Sequence, residues 1–291
     1  MKIFKIAVTA ASGNLGSAII NRLKQEIGKD NVTGIARTPV KAKSLGVEIR
    51  KGDYNSKEDF LIALKDIDTL LLVSGMDHPE KRIQQHRNII EAAKESGIKK
   101  IVYTSIKGAK EGNDFSPVVA SNRQTEEDIK NSGLQWAIGR NGIYIEPDLE
   151  YIDIYKKEGG IINSAADGKC GYTSREELAY AYFKLLTDDN LNGKTYDLYG
   201  EPITQIQLTA AINKAFNLHL KYKSIPFVEY TKERKAALGD FLGTIIGGIY
   251  EGIRTGKFDG KSDFYEVAKR PHKSVNDMIN EFLKNNSLLS N

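Results

Sequence analysis

The sequence predicts an α/β protein, a doubly wound parallel sheet followed by a smaller mixed α/β lobe. Three observations carry this expectation. Through the first half of the chain, short β-branched runs alternate with segments whose apolar residues recur every three or four positions. The first junction between them, residues 9–16, is a loop of small residues. One run, Leu70-Leu71-Leu72-Val73, is apolar without alternation, as in strands covered on both faces of a parallel sheet. Repeated strand–helix units close through right-handed crossovers, and ligands then bind beyond the carboxyl ends of the strands.

The elements follow in order. Residues 3–9 form the first predicted strand. Residues 14–27 are a helix with Leu15, Ile19, Leu23 and Ile27 on one face and Gly28 to end it. Residues 31–36 are a second strand, 39–45 a short helix and 47–50 a third strand. Residues 56–64 are a helix opened by Ser56 and Asp59 at capping-box spacing, and 68–74 a fourth strand. Pro79 opens the next helix, which ends near Gly97. Residues 99–105 are a fifth strand, 121–131 a helix closed by Gly133, and 134–139 a sixth strand. After about Tyr144 the alternation stops, and Tyr144, Tyr151 and Tyr155 mark a polar-aromatic stretch. A helix at 176–186, a strand at 195–198 and amphipathic helices at 204–216 and 274–283 complete the reading. The glycine-rich piece between Gly239 and Gly256 is the least readable.

Composition sets the outer limits. With 40% hydrophobic and 27% charged residues, the 291-residue chain can build an ordinary globular core. The net charge of +4 is spread along the chain, so no nucleic-acid partner is expected. A single cysteine, Cys170, excludes an intramolecular disulfide and reads as a small buried hydrophobe. No leader and no apolar stretch of ~18 residues is seen, so a soluble cytoplasmic protein without membrane attachment is expected. His78, His86, His219 and His272 show no metal-ligand spacing, and no metal is expected.

The loop carries the first chemistry. Ala10, Gly13 and Gly16 recur every third position, like the dinucleotide fingerprint of a Rossmann fold. Gly13 lets the backbone approach a pyrophosphate, and Gly16 lets the helix pack closely on the strand. Ser12, Asn14 and Leu15 complete a turn whose helical N–H groups face the phosphates. Ala10 replaces the usual first glycine, which is tolerable with a negative φ. At the end of the second strand, NAD-binding folds carry an acid for the ribose 2′-hydroxyl. Here Ala36-Arg37 stands there, and no acid lies between Asn31 and Gly46. Arg37 can instead grip a 2′-phosphate, with Lys41 and Lys43 nearby, so the expected cofactor is NADP(H). Asp53, ending the third strand, is either an acceptor for the adenine amino group or a turn acid. Ser74-Gly75, ending the fourth, either passes the cofactor or is simply a turn. The division expected is an NADP-binding domain of residues 1–145, to which 160–200 return, and a substrate lobe of 146–159 and 201–291.

Further segments point the same way: Ala36-Arg37 with Pro39 and Lys41-Ala42, Gly52-Asp53-Tyr54-Asn55, Gln85-His86-Arg87-Asn88, Ala92-Ala93-Lys94, Tyr103-Thr104-Ser105, Thr125-Glu126, Arg140-Asn141-Gly142 with Tyr144, Asp167-Gly168-Lys169 and Arg175. In this order, over nearly the whole chain, they resemble the NmrA-like branch of atypical short-chain dehydrogenases/reductases, in particular its quinone- and triphenylmethane-reducing members. The resemblance implies an NADPH site formed by the phosphate loop, Arg37, Ser74-Gly75, residues 138–143 (with Asn141 and Gly142) and Arg175. It implies hydride delivery to a quinone or similar flat acceptor in a cleft between the lobes. Partners expected are that small molecule and a second copy of the chain in a homodimer. The chain departs from the family at Ala10, and at Asn122, where relatives often carry a histidine; an amide there cannot titrate.

Ordinary short-chain dehydrogenases use a helical Tyr-x-x-x-Lys pair for proton transfer. The matches here, Tyr103/Lys107, Tyr180/Lys184 and Tyr265/Lys269, fall on a strand end or too late in the order, and helix 121–131 has no tyrosine. Ordinary carbonyl chemistry is therefore not expected. A quinone is more forgiving, since hydride attack already yields a stabilised phenolate, and positioning supplies much of the rate. Asn141 and Tyr144 are the candidates to orient it, although Tyr144 also reads as a half-buried structural aromatic. Two alternatives stand beside the enzyme: an NAD(P)-binding regulator without turnover, and a reductase of cationic dyes using Glu146, Asp148 and Glu150, which read equally well as a solvated face.

Overall fold

The computed structural model describes residues 4–287; position 3 of the first predicted strand lies outside them. The first half runs β1 (Ile6–Val8), α1 (Asn14–Ile27), β2 (Val32–Ala36), β3 (Glu48–Lys51), α2 (Lys57–Ala63), β4 (Thr69–Val73), α3 (Pro79–Glu95), β5 (Lys100–Ile106), α4 (Ser116–Lys130) and β6 (Gln135–Asn141). The second half runs β7 (Ile143–Tyr144), α5 (Glu146–Glu150), α6 (Ile152–Glu158), β8 (Gly160–Asn163), β9 (Lys169–Thr173), α7 (Arg175–Thr187), β10 (Thr195–Leu198), β11 (Pro202–Thr204), α8 (Gln205–Phe216), β12 (Lys221–Ser224), α9 (Phe227–Leu238), α10 (Asp240–Arg254), α11 (Phe264–Ala268) and α12 (Val275–Ser287).

The large sheet has seven strands in the order β10-β6-β5-β4-β1-β2-β3, and every pairing in it is parallel. The chain starts in the middle, winds outward through β2 and β3, then returns to the other side of β1 with β4. Adjacent crossovers therefore leave β1 and β4 on opposite faces, opening a crevice at their carboxyl ends. Leu70 and Leu72 point into the core under α2 and α3, while Leu71 points into the core shared with α1 and α7. That two-sided burial is why this run is apolar at every position.

Local signals place most helix ends. Ser56 Oγ accepts from the Asp59 amide at 3.1 Å and starts α2. Thr204 and Gln207 form a reciprocal capping box at α8. Gly28 ends α1 with φ 83°. Helix α4 begins at Ser116 rather than at residue 121, because Pro117 sits in its first turn, where a missing N–H costs nothing.

Of residues 160–200, α7 packs on the large sheet and β10 joins it, whereas β8 pairs with β12 and β9 with β7 and β11. These small sheets, with α8, α10 and α12, enclose a third core that includes Phe115, Leu149, Cys170, Leu208, Ile253 and Phe258. Burial pushes the Cys170 thiol up.

The glycine-rich segment that was hardest to read is helix α10. Glycine is a poor helix former, which weighs against a helix by composition although Leu242, Ile245, Ile246, Ile249 and Ile253 recur at helical spacing, and here the missing side chains permit close contact. A Cβ on Gly243 would lie 2.6 Å from the Arg234 carbonyl carbon of α9, and one on Gly248 would lie 2.7 Å from the Asp114 carbonyl carbon.

Candidate cofactor and acceptor site

The phosphate loop is held by the strands around it. Thr9 Oγ1 accepts from the Val73 amide at 2.9 Å and meets the Tyr54 hydroxyl at 2.6 Å. That hydroxyl donates to the Val73 carbonyl at 2.7 Å, so the ends of β1 and β4 and the turn after β3 close into one ring. The Ala11 amide donates to the Ile35 carbonyl and the Gly13 amide to the Ala10 carbonyl. Ser12, Gly13 and Asn14 are exposed. No side chain caps α1, and no acid sits in its first turn. The positive end of the helix thus faces outward, a fit for a pyrophosphate.

Ala10 corrects the expectation of a negative φ. Its φ is 49°, because the chain must reverse there for the Gly13 amide to reach the Ala10 carbonyl. A side chain in the left-handed region costs about 1–2 kcal/mol, partly offset by the extra entropy a glycine brings to the unfolded chain. Ala10→Gly is therefore expected to raise stability by about 0.5–1 kcal/mol in urea unfolding, without loss of cofactor binding.

Arg37 is exposed just past β2 and makes no ion pair among the described residues, and Lys41 and Lys43 stand exposed on the short helical segment Pro39–Leu45. Asp53 forms the turn before α2: its Oδ1 accepts from the Asn55 amide and side chain, each at 2.9 Å, leaving Oδ2 as its open acceptor.

Ser74 and Gly75, past β4, are fixed by a buried network. The Ser74 amide donates to Thr104 Oγ1 at 2.9 Å, and its hydroxyl donates to Asn122 Oδ1 at 3.1 Å. The Gly75 amide donates to His86 Nε2 at 3.0 Å. With Nε2 an acceptor, the His86 proton is on Nδ1, facing Thr125 Oγ1 at 2.8 Å. Burial, aided by nearby Arg82, lowers the His86 pKa to about 3, so the ring stays neutral. Asn122 is buried and also accepts from Tyr103 at 2.6 Å; its amide is a structural link.

The remaining motifs interlock in the same way. Gln85 and Asn88 of α3 donate to Asn55 and to the Tyr54 carbonyl. Glu126 of α4 binds Arg140 of β6 through both carboxylate oxygens, at 2.9 and 2.6 Å. None of the three Tyr-x-x-x-Lys matches forms an acid pair. Tyr103 is wholly buried and Lys107 pairs with Asp197 at 2.5 Å. Lys184 lies over the Tyr180 ring on α7, and Tyr265 is exposed.

At the end of β6, Tyr182 donates to Asn141 Oδ1 at 2.7 Å and Asn141 Nδ2 donates to the Tyr144 oxygen at 2.9 Å. Among the described residues, no acceptor is seen for the Tyr144 hydroxyl proton. Burial pushes this phenol up to about 12, so it stays protonated. Gly142 is required by packing: a Cβ there would lie 2.5 Å from both the Gly171 carbonyl oxygen and Tyr199 Cβ. Arg175 opens α7 and pairs with Glu150 at 3.1 Å, while its amide donates to Glu146 at 2.6 Å.

Gly142, Ile143 and Tyr144 border a cleft of about 720 Å³. Its walls include Tyr151 and Tyr155 of the polar-aromatic stretch and, from α9 and α10, Tyr230, Ile246, Ile249 and Tyr250. The α9 residues carried little sequence signal, because its apolar residues do not gather on one helical face; the α10 residues do recur at helical spacing, and only the glycines among them spoke against a helix. Of the acids at 146–150, Glu150 is exposed, as on a solvated face, whereas Glu146 and Asp148 are buried and Asp148 lines the cleft. Among the described residues, no group of three or more His, Cys, Asp or Glu could hold a metal ion, and no helix is long and apolar enough to cross a membrane.

A family model described as NAD(P)H-binding matches residues 10–189. The chain belongs to this NAD(P)H-binding family. Quinone oxidoreductase 2 of Escherichia coli (strain K12) is 29% identical to it over 290 residues, 97% of this chain and 100% of that protein. An NmrA-like family domain-containing oxidoreductase of Aspergillus flavus is 30% identical over 227 residues, 75% of this chain and 74% of that protein. The crystal structure of Citrobacter sp. triphenylmethane reductase complexed with NADP(H) matches with a TM-score of 0.86 and 28% identity, over 94% of this chain and 98% of that one. The chain is an NmrA-like oxidoreductase of the NAD(P)H-binding family, as the resemblance implied.

Proposed function

We propose that this NAD(P)H-binding protein is an NADPH-dependent reductase whose acceptor is a quinone or related conjugated molecule. One observation carries the reading: an apolar, tyrosine-lined cleft adjoins Gly142–Tyr144 at the carboxyl edge of the sheet, the edge that also bears the phosphate loop, Arg37 and Ser74-Gly75. A flat acceptor stacked among these rings would lie beside the cofactor.

In this reading the α1 N-terminus and Ser12–Gly16 hold the pyrophosphate, Arg37 the 2′-phosphate, and Asp53 Oδ2 the adenine amino group. Ser74, Gly75 and Asn141–Gly142 border the nicotinamide half, and Arg175 closes the site from α7. The cofactor supplies a hydride when bound. The chain's own residues orient the acceptor: Tyr144, aimed by Asn141, donates its phenol proton in a hydrogen bond to an acceptor oxygen, and the rings exclude water. The lobe boundary in this reading falls between the sheet, with α7 and β10, and the small sheets with α8–α10.

The test is NADPH oxidation against quinones and dyes, with NADH and Arg37→Ala alongside. Losing the charge-assisted grip on a 2′-phosphate is worth about 1.5–3 kcal/mol. The expected result is therefore a rise of about 10–100-fold in KM for NADPH with KM for NADH little changed. Tight NADPH binding without turnover on any acceptor would replace the enzyme with a redox-reporting regulator.

A further inference from the structure

We propose that Asp148 is the acid of this site, giving its carboxyl proton to the oxygen of the reduced acceptor in the aromatic cleft. The inference rests on the reductase reading and adds the group that completes its product.

Hydride addition to a quinone leaves an anionic oxygen, and the usual proton donors are absent. Asn122 is an amide, His86 is neutral and held between Gly75 and Thr125, and the Tyr-x-x-x-Lys matches lie elsewhere. The cleft itself is lined by Tyr144, Tyr151, Tyr155, Tyr230 and Tyr250, with Glu158, Glu233 and Arg234 as its other ionisable residues besides Asp148. Glu158 and Glu233 are exposed, and burial pushes Tyr144, Tyr155, Tyr230 and Tyr250 up, making them poor acids near neutrality.

Asp148 differs from all of these. It is 5% exposed, and its Oδ1 accepts from the Tyr155 hydroxyl at 2.7 Å. The groups facing it are Tyr155 from α6, Cys170 and Tyr172 from β9, Tyr230 from α9 and Tyr250 from α10. None is a cation, and among the described residues no Lys or Arg pairs with Asp148. A buried carboxyl without a cation keeps its proton to higher pH. Burial, opposed by hydrogen bonds from Tyr155 and Tyr172, raises this one to about 6. Tyr155 is half-buried and so links the carboxyl to water.

The step balances. Two electrons and a hydrogen pass as hydride from the dihydronicotinamide to the acceptor, oxidising one and reducing the other. The Asp148 O–H bond breaks as the acceptor O–H bond forms, leaving a carboxylate. The carboxylate regains its proton from water through the Tyr155 hydroxyl.

The experiment is the pH dependence of kcat/KM for a neutral naphthoquinone in the wild type, Asp148→Asn and Tyr155→Phe. It is paired with infrared titration of the carboxyl C=O band in the free protein and with NADPH titration. In the wild type, kcat/KM is expected to hold level below pH about 6 and fall about tenfold per pH unit above it. Asp148→Asn should lose the falling limb, leaving a flat profile at least about tenfold below the wild-type plateau, lose the titrating infrared band, and still bind NADPH. Tyr155→Phe removes a hydrogen bond that favours the carboxylate, so the limb should move to higher pH, a shift that packing alone would not produce; it also keeps the proposal testable if Asp148→Asn fails to fold. Quinone turnover with no limb in the wild type, or with the same limb in Asp148→Asn, overturns Asp148 and leaves the reductase reading standing. NADPH binding without quinone turnover overturns both.

Discussion

Gly16→Ala is expected to cost at least about 100-fold in NADPH affinity. The new Cβ would overlap the Ala10 carbonyl oxygen and lie 2.9 Å from its carbonyl carbon and 3.1 Å from the Thr9 oxygen. All are backbone atoms, and they cannot swing aside as a side chain could. Thr9 is pinned in the ring with Tyr54 and Val73, so α1 must be the part that retreats. Overpacking of this kind costs about 1–3 kcal/mol of stability. The larger effect is on binding: a displacement of about an ångström at the helix N-terminus misaims the N–H groups proposed to hold the pyrophosphate. NADPH fluorescence titration and thermal unfolding measure the two effects separately. Gly13→Ala gives an internal scale, since its Cβ would stand 3.2 Å from the same oxygen and should cost much less. Equal losses in the two variants would show that the loop adapts and that the crowding at Gly16 is not decisive.

Glu126→Ala is expected to destabilise the fold by about 3–5 kcal/mol, the range for breaking a buried ion pair from one side. Glu126 is fully buried and accepts from Ser105 at 2.6 Å, Arg123 at 2.7 Å and Arg140 at 2.9 and 2.6 Å. Its removal strands two guanidinium groups, of which Arg123 is itself buried. Burial opposes ionisation of this carboxyl, but Arg140 and Arg123 outweigh it and hold the pKa below the ordinary carboxylate range. The group therefore contributes stability that is complete above the unfolded-state pKa and is lost as pH falls through the lowered folded-state value. Urea unfolding across acidic pH should show this loss in the wild type, and Glu126→Gln should lack its share. A stability change under about 1 kcal/mol would mean that the two arginines find water or other acceptors when the carboxylate is gone.

The sheet was legible because its strands sit between local signals that agree with the global fold: glycine and proline at helix ends, capping residues, and apolar runs too dense for a one-sided surface. The positions of Arg37 and of the loop 9–16 at strand ends were legible for the same reason, since each stands at a fixed offset from a strand. What the sequence hid was of two kinds. Ala10 looked tolerable because residue type alone does not give φ, and the reversal it makes is set by the Gly13-to-Ala10 hydrogen bond. The small lobe was hidden because its strands pair across long separations, such as β8 with β12. Its acids were ambiguous: Asp148 belongs in the cleft only because α9 and α10, far along the chain, cover it. Glu126 and Arg140 stood out as segments of a resemblance, and the structure supplies the reason they travel together.

Helix α10 divides its two sides between different tasks. Gly243, Gly247 and Gly248 set its distance from α9 and from residues 114–115, so that side tolerates no larger residue. Ile246 and Ile249 project away from that seam into the cleft, where size and polarity are not dictated by that contact, whereas Tyr250 packs its ring on Tyr230 of α9 at 5.2 Å between centroids. Selection, or a designer, could therefore reshape the proposed acceptor pocket at those two positions while the wall that carries them stays in place. Different acceptors across relatives of one architecture are the natural outcome of such an arrangement.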